Sequence, residues 1–307
     1  MNMNKFTMAV VGATLLASSL AGGSSAIAAE KAKITKVDMP IKLLYNARQL
    51  PTDVQPESVN GTTLVPLRVV SDKLGGKLTL TGKNIRIVKG KSTLSLTIGA
   101  STASINGKTT RLAVPVKVVK GRTLVPLRVV SEGLGVAVEW DSILQFVWIG
   151  SKDVPNIRDI RQPVDFEPYL TYFNDSDFLA KSGMGIYERT YIVDASDLPY
   201  KDDVMTTYRM DLAHDQNNHL YLQTIVNTRA SMAPSYYYLS KQKPVVAYGL
   251  NYLTKIPKKG IHFYYNDTSK IGGTLNSLKK YEYFDVRKGL IVNSKEMAKV
   301  MMKNPWR

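Results

Sequence analysis

The chain contains no cysteine. That absence excludes disulfide staples, thiolate metal sites, a cysteine nucleophile and an anchor built on a lipidated cysteine. Histidine is scarce, with only His214, His219 and His262 present. No Gly-x-Ser-x-Gly, no His-Glu-x-x-His and no phosphate loop occurs, so the common local signatures of hydrolases, zinc peptidases and nucleotide binders are missing. No Leu-Pro-x-Thr-Gly sorting signal stands near the C-terminus. Beyond the first thirty residues no apolar run approaches the roughly eighteen residues of a spanning helix. Acidic residues are outnumbered, 25 against 41 basic, for a formal charge of +16, which suits anionic surroundings or partners.

What remains is ordinary globular material. With 307 residues, 44% hydrophobic and 21% charged, the chain is long enough for two domains with their own cores. Residues 1–29 read as a secretory signal: a basic start at Met1 to Lys5, an apolar run from Met8 to Leu20, and small residues at Ala26-Ile27-Ala28. The mature chain is expected to begin near Ala29 or Glu30 on a Gram-positive-type exterior, secreted and associated with the wall. No membrane span is expected after cleavage, and without disulfides the mature domains stand on packing.

A repeat organises residues 30–150. Thr63-Leu64-Val65-Pro66-Leu67-Arg68-Val69-Val70-Ser71 recurs sixty residues later as Thr123-Leu124-Val125-Pro126-Leu127-Arg128-Val129-Val130-Ser131, and Leu74-Gly75 recurs as Leu134-Gly135. Asn60-Gly61 and Lys120-Gly121 are turn dipeptides that predict hairpins. Pro66 and Pro126 stop the second strand and open a helix. Leu67, Val70 and Leu74 line one face of that helix, as do Leu127, Val130 and Leu134, and Gly75 and Gly135 end it in a left-handed conformation. A strand pair follows each helix, at 77–80 with 85–88 and at 136–140 with 146–149. Each copy, about 36–90 and 91–150, is therefore expected to fold as β-β-α-β-β. Units this small are expected to pack on one another as one α+β domain.

These residues resemble a known family. The repeated Leu-Val-Pro-Leu-Arg-x-x-Ser-x-x-Leu-Gly, followed in the second copy by Val138-Glu139-Trp140-Asp141, is similar to the copper amine oxidase N-terminal-like domain, also called the stalk domain. That domain is common as a tandem module in secreted Firmicute proteins. The first copy departs from the pattern, with Leu80-Thr81 in place of Trp140-Asp141. The resemblance implies a spacer or interaction module and no oxidase chemistry. The full oxidases bind copper with three histidines and make a quinone from a tyrosine in an Asn-Tyr-acid context, all in another domain. Here His214 and His219 are five apart, and Asn251-Tyr252-Leu253 lacks the acid. No metal or other cofactor is expected. Arg68 and Arg128 read as structural, on the inner side of a small helix and bonded to carbonyls or to an acid such as Asp141.

After a linker at 151–160 the composition shifts. Sixteen of the seventeen tyrosines and all three histidines lie beyond residue 160. β-rich runs at 186–193, 204–212, 219–226, 236–239 and 261–265 predict a second α+β domain over 161–307, built on an antiparallel sheet. Asn293, Glu296, Met297, Val300 and Met301 predict a closing amphipathic helix. Charge is uneven: 19 basic and 8 acidic residues at 30–152, 6 and 13 at 153–215, and 15 and 4 at 216–307.

Three local features bear on chemistry. In Tyr236-Tyr237-Tyr238 the outer two share a strand face, and Tyr236 and Tyr238 are candidates for stacking on a sugar or peptide if exposed, against the plainer reading of a half-buried sheet surface. Acidic clusters at 174–177 and 194–203 lack a calcium-loop glycine and read as solvated loops. Ser277-Leu278-Lys279-Lys280 fits serine-x-x-lysine without its companion motifs. The expected function is a non-catalytic envelope protein, its stalk-like domain a spacer and its C-terminal domain binding an anionic wall polymer or peptidoglycan, with no nucleic-acid partner. The alternative is a wall hydrolase with a serine–histidine–acid site assembled around one of the histidines.

Overall fold

Four dipeptides shape the N-terminal half. Asn46-Ala47, Asn60-Gly61, Asn106-Gly107 and Lys120-Gly121 all sit at positive φ, which the type I′ hairpin turn requires at both central positions. In the computed structural model residues 32–173, 181–182, 185–228, 235–241, 244–247, 249–250, 260–287 and 298–307 are described. The expected signal segment, the 174–177 acidic cluster, Asn251-Tyr252-Leu253 and residues 293–297 lie outside the described residues.

β1 (Ile34–Asp38) comes first. β2 (Lys42–Tyr45) and β3 (Arg48–Leu50) form one hairpin, and β4 (Glu57–Val59) and β5 (Thr62–Pro66) another. α1 (Leu67–Lys73) starts directly after Pro66. β6 (Lys77–Thr81), β7 (Asn84–Lys89), β8 (Ser92–Thr97), β9 (Thr102–Ile105) and β10 (Lys108–Arg111) make a meander. β11 (Lys117–Val119), β12 (Arg122–Pro126), α2 (Leu127–Leu134), β13 (Val138–Asp141) and β14 (Phe146–Ile149) complete this half.

Pro66 and Pro126 cap their helices from the last strand position, with φ of −63° and −57°. Gly75 and Gly135 follow the helices at φ +72° and +61°, where a side chain would be strained. The two identical segments face each other. β5 pairs antiparallel with β12, with Val65 opposite Val125, Leu64 opposite Pro126 and Pro66 opposite Leu124. Val65, Val70, Val125 and Val130 are fully buried in a core shared by both.

Each sixty-residue segment holds more strands than its sequence pattern shows, and the sheets cross between them. The five-stranded sheet runs β10-β9-β8-β7-β6, and a four-stranded sheet runs β13-β14-β2-β3 with β14 parallel to β2. In the first, β8 lies between β7 and β9. In the second nothing lies between β14 and β2, because the chain sixty residues before β8 belongs to β1, which pairs elsewhere.

The C-terminal half begins with β15 (Val164–Asp165), the small hairpin of β16 (Lys181–Ser182) and β17 (Gly185–Ile186), β18 (Arg189–Val193) and β19 (Tyr200–Lys201). Two long strands follow, β20 (Met205–Asp215) and β21 (Leu220–Thr228). β22 (Ser235–Leu239), β23 (Val245–Ala247), β24 (Gly249–Leu250), β25 (Ile261–Asp267), β26 (Tyr283–Arg287) and β27 (Ala298–Lys303) complete it. One six-stranded sheet runs β1-β20-β21-β25-β24 with β19 beside β20, and the other runs β15-β18-β27-β26-β22-β23. They share a core that includes Leu212, Leu222, Tyr236, Tyr238, Phe284 and Met302.

One expectation is corrected here. The expected closing helix is, where described, strand β27, parallel to β18 and antiparallel to β26. Val300, Met301 and Met302 are all buried, so both faces of the strand are covered, and a short apolar run of that kind carries no decisive period. The expected antiparallel sheet is present as β1-β20-β21-β25-β24, antiparallel at every pairing, whereas the second sheet is mixed because β27 returns alongside β18.

Residues 33–307 form one compact unit. The outer face of the β13-β14-β2-β3 sheet carries Leu44, Phe146 and Trp148, which pack with Ile225 and Ile261 of the C-terminal half. Arg48 donates to the Asp197 carbonyl and carboxylate, and Gln49 to the carbonyls of Ala195 and Leu198. The segment 151–160 is held along its length, by Ser151 on Asn46, by an Asn156 cap on a helical turn, and by buried Ile157.

Lys42 sits at this junction. Burial first, then the positive charge of Arg209, lowers its amine to about 8 against a smaller opposing pull from Asp211. Below that pH the folded chain carries a charge that its surroundings disfavour. Stability therefore rises with pH between about 8 and the ordinary 10.5, where the unfolded chain binds more protons. Lys42→Met is expected to stabilise the protein at pH 7 by ~1–3 kcal/mol. In urea unfolding at a series of pH values the gap should close across that window. A pH-independent gap would contradict it.

Candidate functional site

The β6–β10 sheet has an apolar face and a polar one, as alternation along each strand dictates. Ile85, Ile87, Leu94, Leu96 and Ala103 point into the core. Thr79, Arg86, Ser95, Ser104 and Thr109 lie in register across the five strands and make one row on the other face. Thr81, Asn84 and Thr97 begin a second row, in which the Thr97 hydroxyl donates to Asn84 Oδ1 at 3.0 Å. The face is concave and bounds an open groove of about 610 Å³. Its hydroxyls donate and accept, and Arg86 adds a fixed fork of donors.

The chain segment that forms the groove carries charge of one sign. From Lys73 to Ser131 the sequence holds twelve basic and no acidic residues. Lys117 and Arg122 are paired with Glu57 and Asp53. Among the described residues Lys77, Arg86 and Arg111 have no acidic partner.

A second groove of about 390 Å³ lies between the start of α1 and the β11–β12 turn, lined by Asp53, Arg68, Asp72, Leu80 and Arg122. The bond from Arg122 holds the Asp53 carboxyl below its ordinary value, so this groove contains its own counter-ion. Leu80, sixty residues before Trp140 in the sequence, is 50% exposed, whereas Trp140 packs on the core.

The tyrosine candidates are corrected. Tyr236 and Tyr238 are 0% exposed and lie between the two C-terminal sheets, and burial pushes both phenols above their ordinary range. Tyr237 takes the opposite face and is buried among Phe166, Phe173 and Met301. β22 is covered on both sides, so no tyrosine of this triplet presents a ring to solvent. Arg68 and Arg128 are corrected as well. Both are exposed rather than on the inner helix side, because that side is filled by Leu67, Val70, Leu127 and Val130. Asp141 instead accepts from the backbone N–H groups of Ile143 and Leu144.

The structure brings one histidine to an acid and a serine. His219 Nε2 lies 2.7 Å from Asp267 Oδ1, and Asp267 also accepts from the backbone N–H and the hydroxyl of Ser269. Burial raises the Asp267 carboxyl, but the bonds from Ser269 and His219 outweigh it and leave the group below its ordinary value. In a hydrolytic triad the serine hydroxyl reaches the imidazole. Here it donates to Asp267 Oδ2 instead, and the imidazole lies against Gly273, where a Cβ would come within 2.5 Å of the ring. The cluster ties the β20–β21 turn to the end of β25. His262 stacks on Tyr264, and His214 pairs at the β20 end beside β1. Ser277 bonds Thr274 at the start of a helical turn, and Lys280 is exposed. No cluster of three or more metal-ligating side chains occurs among the described residues.

No local motif in the sequence marks the polar face. Its signal lies in Ser92-Thr93-Leu94-Ser95-Leu96-Thr97, where hydroxyl and apolar residues alternate.

Residues 44–149 match the family model of the copper amine oxidase N-terminal domain, a non-catalytic stalk-type domain. No curated protein and no solved structure matches the chain.

Proposed function

We propose that this is an exported, non-catalytic envelope protein that holds an anionic polymer of the cell wall. Its N-terminal half is a tandem stalk-like module that both spaces and binds. Residues 1–29 direct export, and the mature chain resides at the wall. The observation that carries this reading is the run of twelve basic and no acidic residues between Lys73 and Ser131, lying in the half that matches a non-catalytic domain. The burial of Tyr236 and Tyr238 moves the binding role expected of the C-terminal half toward this basic module. Each phosphate or carboxylate neutralised by lysine or arginine releases a counterion, so affinity should fall steeply with salt.

Co-sedimentation of the mature chain with purified intact walls tests this. Most of the protein should pellet at about 50 mM salt and remain soluble at about 500 mM, where the screening length falls well below 10 Å. No soluble wall fragments should be released. Failure to pellet at low salt would overturn the reading. Turnover abolished by His219→Ala would establish a hydrolase in its place.

A further inference from the structure

We propose that the concave face of β6–β10 is the docking face for a phosphodiester-linked polyol chain. This rests on the wall-polymer reading and gives it a place and a ligand chemistry.

The first support is a pair of matching faces. On β14, Phe146 and Trp148 stand opposite Asp141 and Glu139. On β7, Asn84 and Arg86 stand in the same register opposite Thr81 and Thr79. On β2, Leu44 stands opposite Gln49, and on β9, Ser104 stands opposite Thr109. Leu44, Phe146 and Trp148 are buried against Ile225 and Ile261. The corresponding residues Ser104, Asn84 and Arg86 line an open groove instead. The same surface of the fold is thus apolar and covered on one side, polar and uncovered on the other.

The chemistry of the open face selects among occupants. A solvated surface ordinarily mixes charges of both signs, and this face carries Arg86, with Lys77 and Arg111 at its margins, and no acid. It has no aromatic side chain, which removes the stacking platform that a neutral sugar or an unpaired nucleobase uses. Its donors are single hydroxyls, an amide and one guanidinium in cross-strand rows. The row through Arg86 crosses five strands, about 19 Å at the usual strand spacing. Phosphate oxygens accept from arginine, lysine, serine, threonine and asparagine alike. A carboxylate gains most from a bidentate arginine fork, and only Arg86 stands within the rows. A flexible chain of phosphates separated by hydroxyl-bearing carbons fits such a face along its length.

The test is fluorescence-anisotropy binding of the mature chain to labelled poly(glycerol phosphate) at low salt. Arg86→Glu with Arg111→Glu is expected to weaken binding at least tenfold, and Arg86→Gln alone about threefold. Lys279→Glu, in the C-terminal half, should change it less than twofold. The substituted side chains are exposed, and unchanged thermal midpoints would confirm intact folds. Wild-type affinity in the face variants, with wall sedimentation retained, would overturn this face while leaving the wall reading in place. Wild-type protein that binds neither walls nor polymer would overturn both. Equal or tighter binding to polygalacturonate would overturn the phosphodiester assignment, and equal binding to single-stranded DNA would overturn the polyol assignment.

Discussion

Arg209→Met is expected to destabilise the protein by about 3–5 kcal/mol. Arg209 is fully buried, and all five of its N–H donors are used. Nε donates to Asp211 Oδ2 and Nη2 to Asp211 Oδ1, each at 2.8 Å. Nη1 donates to the carbonyls of Pro40 and Leu144, at 3.0 and 2.9 Å, and Nη2 also reaches Pro40. Pro40 lies where the chain leaves β1 for β2, so one guanidinium fastens that crossing to β20 and to the loop before β14. Removing it strands the Asp211 carboxylate, 4% exposed, along with two carbonyls. Lysine cannot reproduce a planar five-donor fork, so Arg209→Lys should lose most of the same stability. Arg209→Met with Asp211→Leu should recover part of it, because no lone buried charge remains. Urea unfolding with an unchanged slope reads the effect. A loss below about 1 kcal/mol would contradict the role.

Phe146→Ala is expected to lose about 3–5 kcal/mol as well. Its ring is 0% exposed, 5.3 Å from Trp148 edge-to-face, and has the Arg209 guanidinium 5.3 Å from its centroid. Deleting it opens a cavity at the centre of the contact between the halves and removes a desolvated cation–π pair. The two losses should therefore not add, and a double-mutant cycle should give a coupling of ~1–2 kcal/mol. At the matching place on β7, Asn84→Ala should change stability by less than about 0.5 kcal/mol, since that face is open. Comparable losses at Phe146 and Asn84 would deny the difference between the two faces.

The local features of the fold were legible in the sequence. Asn60-Gly61 and Lys120-Gly121 turn as their φ preferences dictate, Pro66 and Pro126 start helices, and Gly75 and Gly135 follow them. These depend on a few neighbouring residues. The crossing of strands between segments was not legible, because nothing in Phe146-Val147-Trp148-Ile149 states that its parallel neighbour will be β2. Short polar strands such as Lys108-Thr109-Thr110-Arg111 show too little pattern to be read as strands. Val300-Met301-Met302 fits a helix stripe as well as a doubly covered strand, and only its neighbours β18 and β26 decide. Tyr236-Tyr237-Tyr238 announces a strand but not what covers it. The open face is not legible in the sequence because its identity as a site lies in cross-strand rows, which exist only once the register is set.

The most direct test of the account is threonine-methyl NMR of the mature chain titrated with poly(glycerol phosphate). The account predicts saturable shifts at Thr79, Thr81, Thr97, Thr102 and Thr109, with Thr207, Thr224 and Thr268 unmoved inside the C-terminal half. Shifts confined to threonines beyond residue 160, or none that saturate, would contradict it.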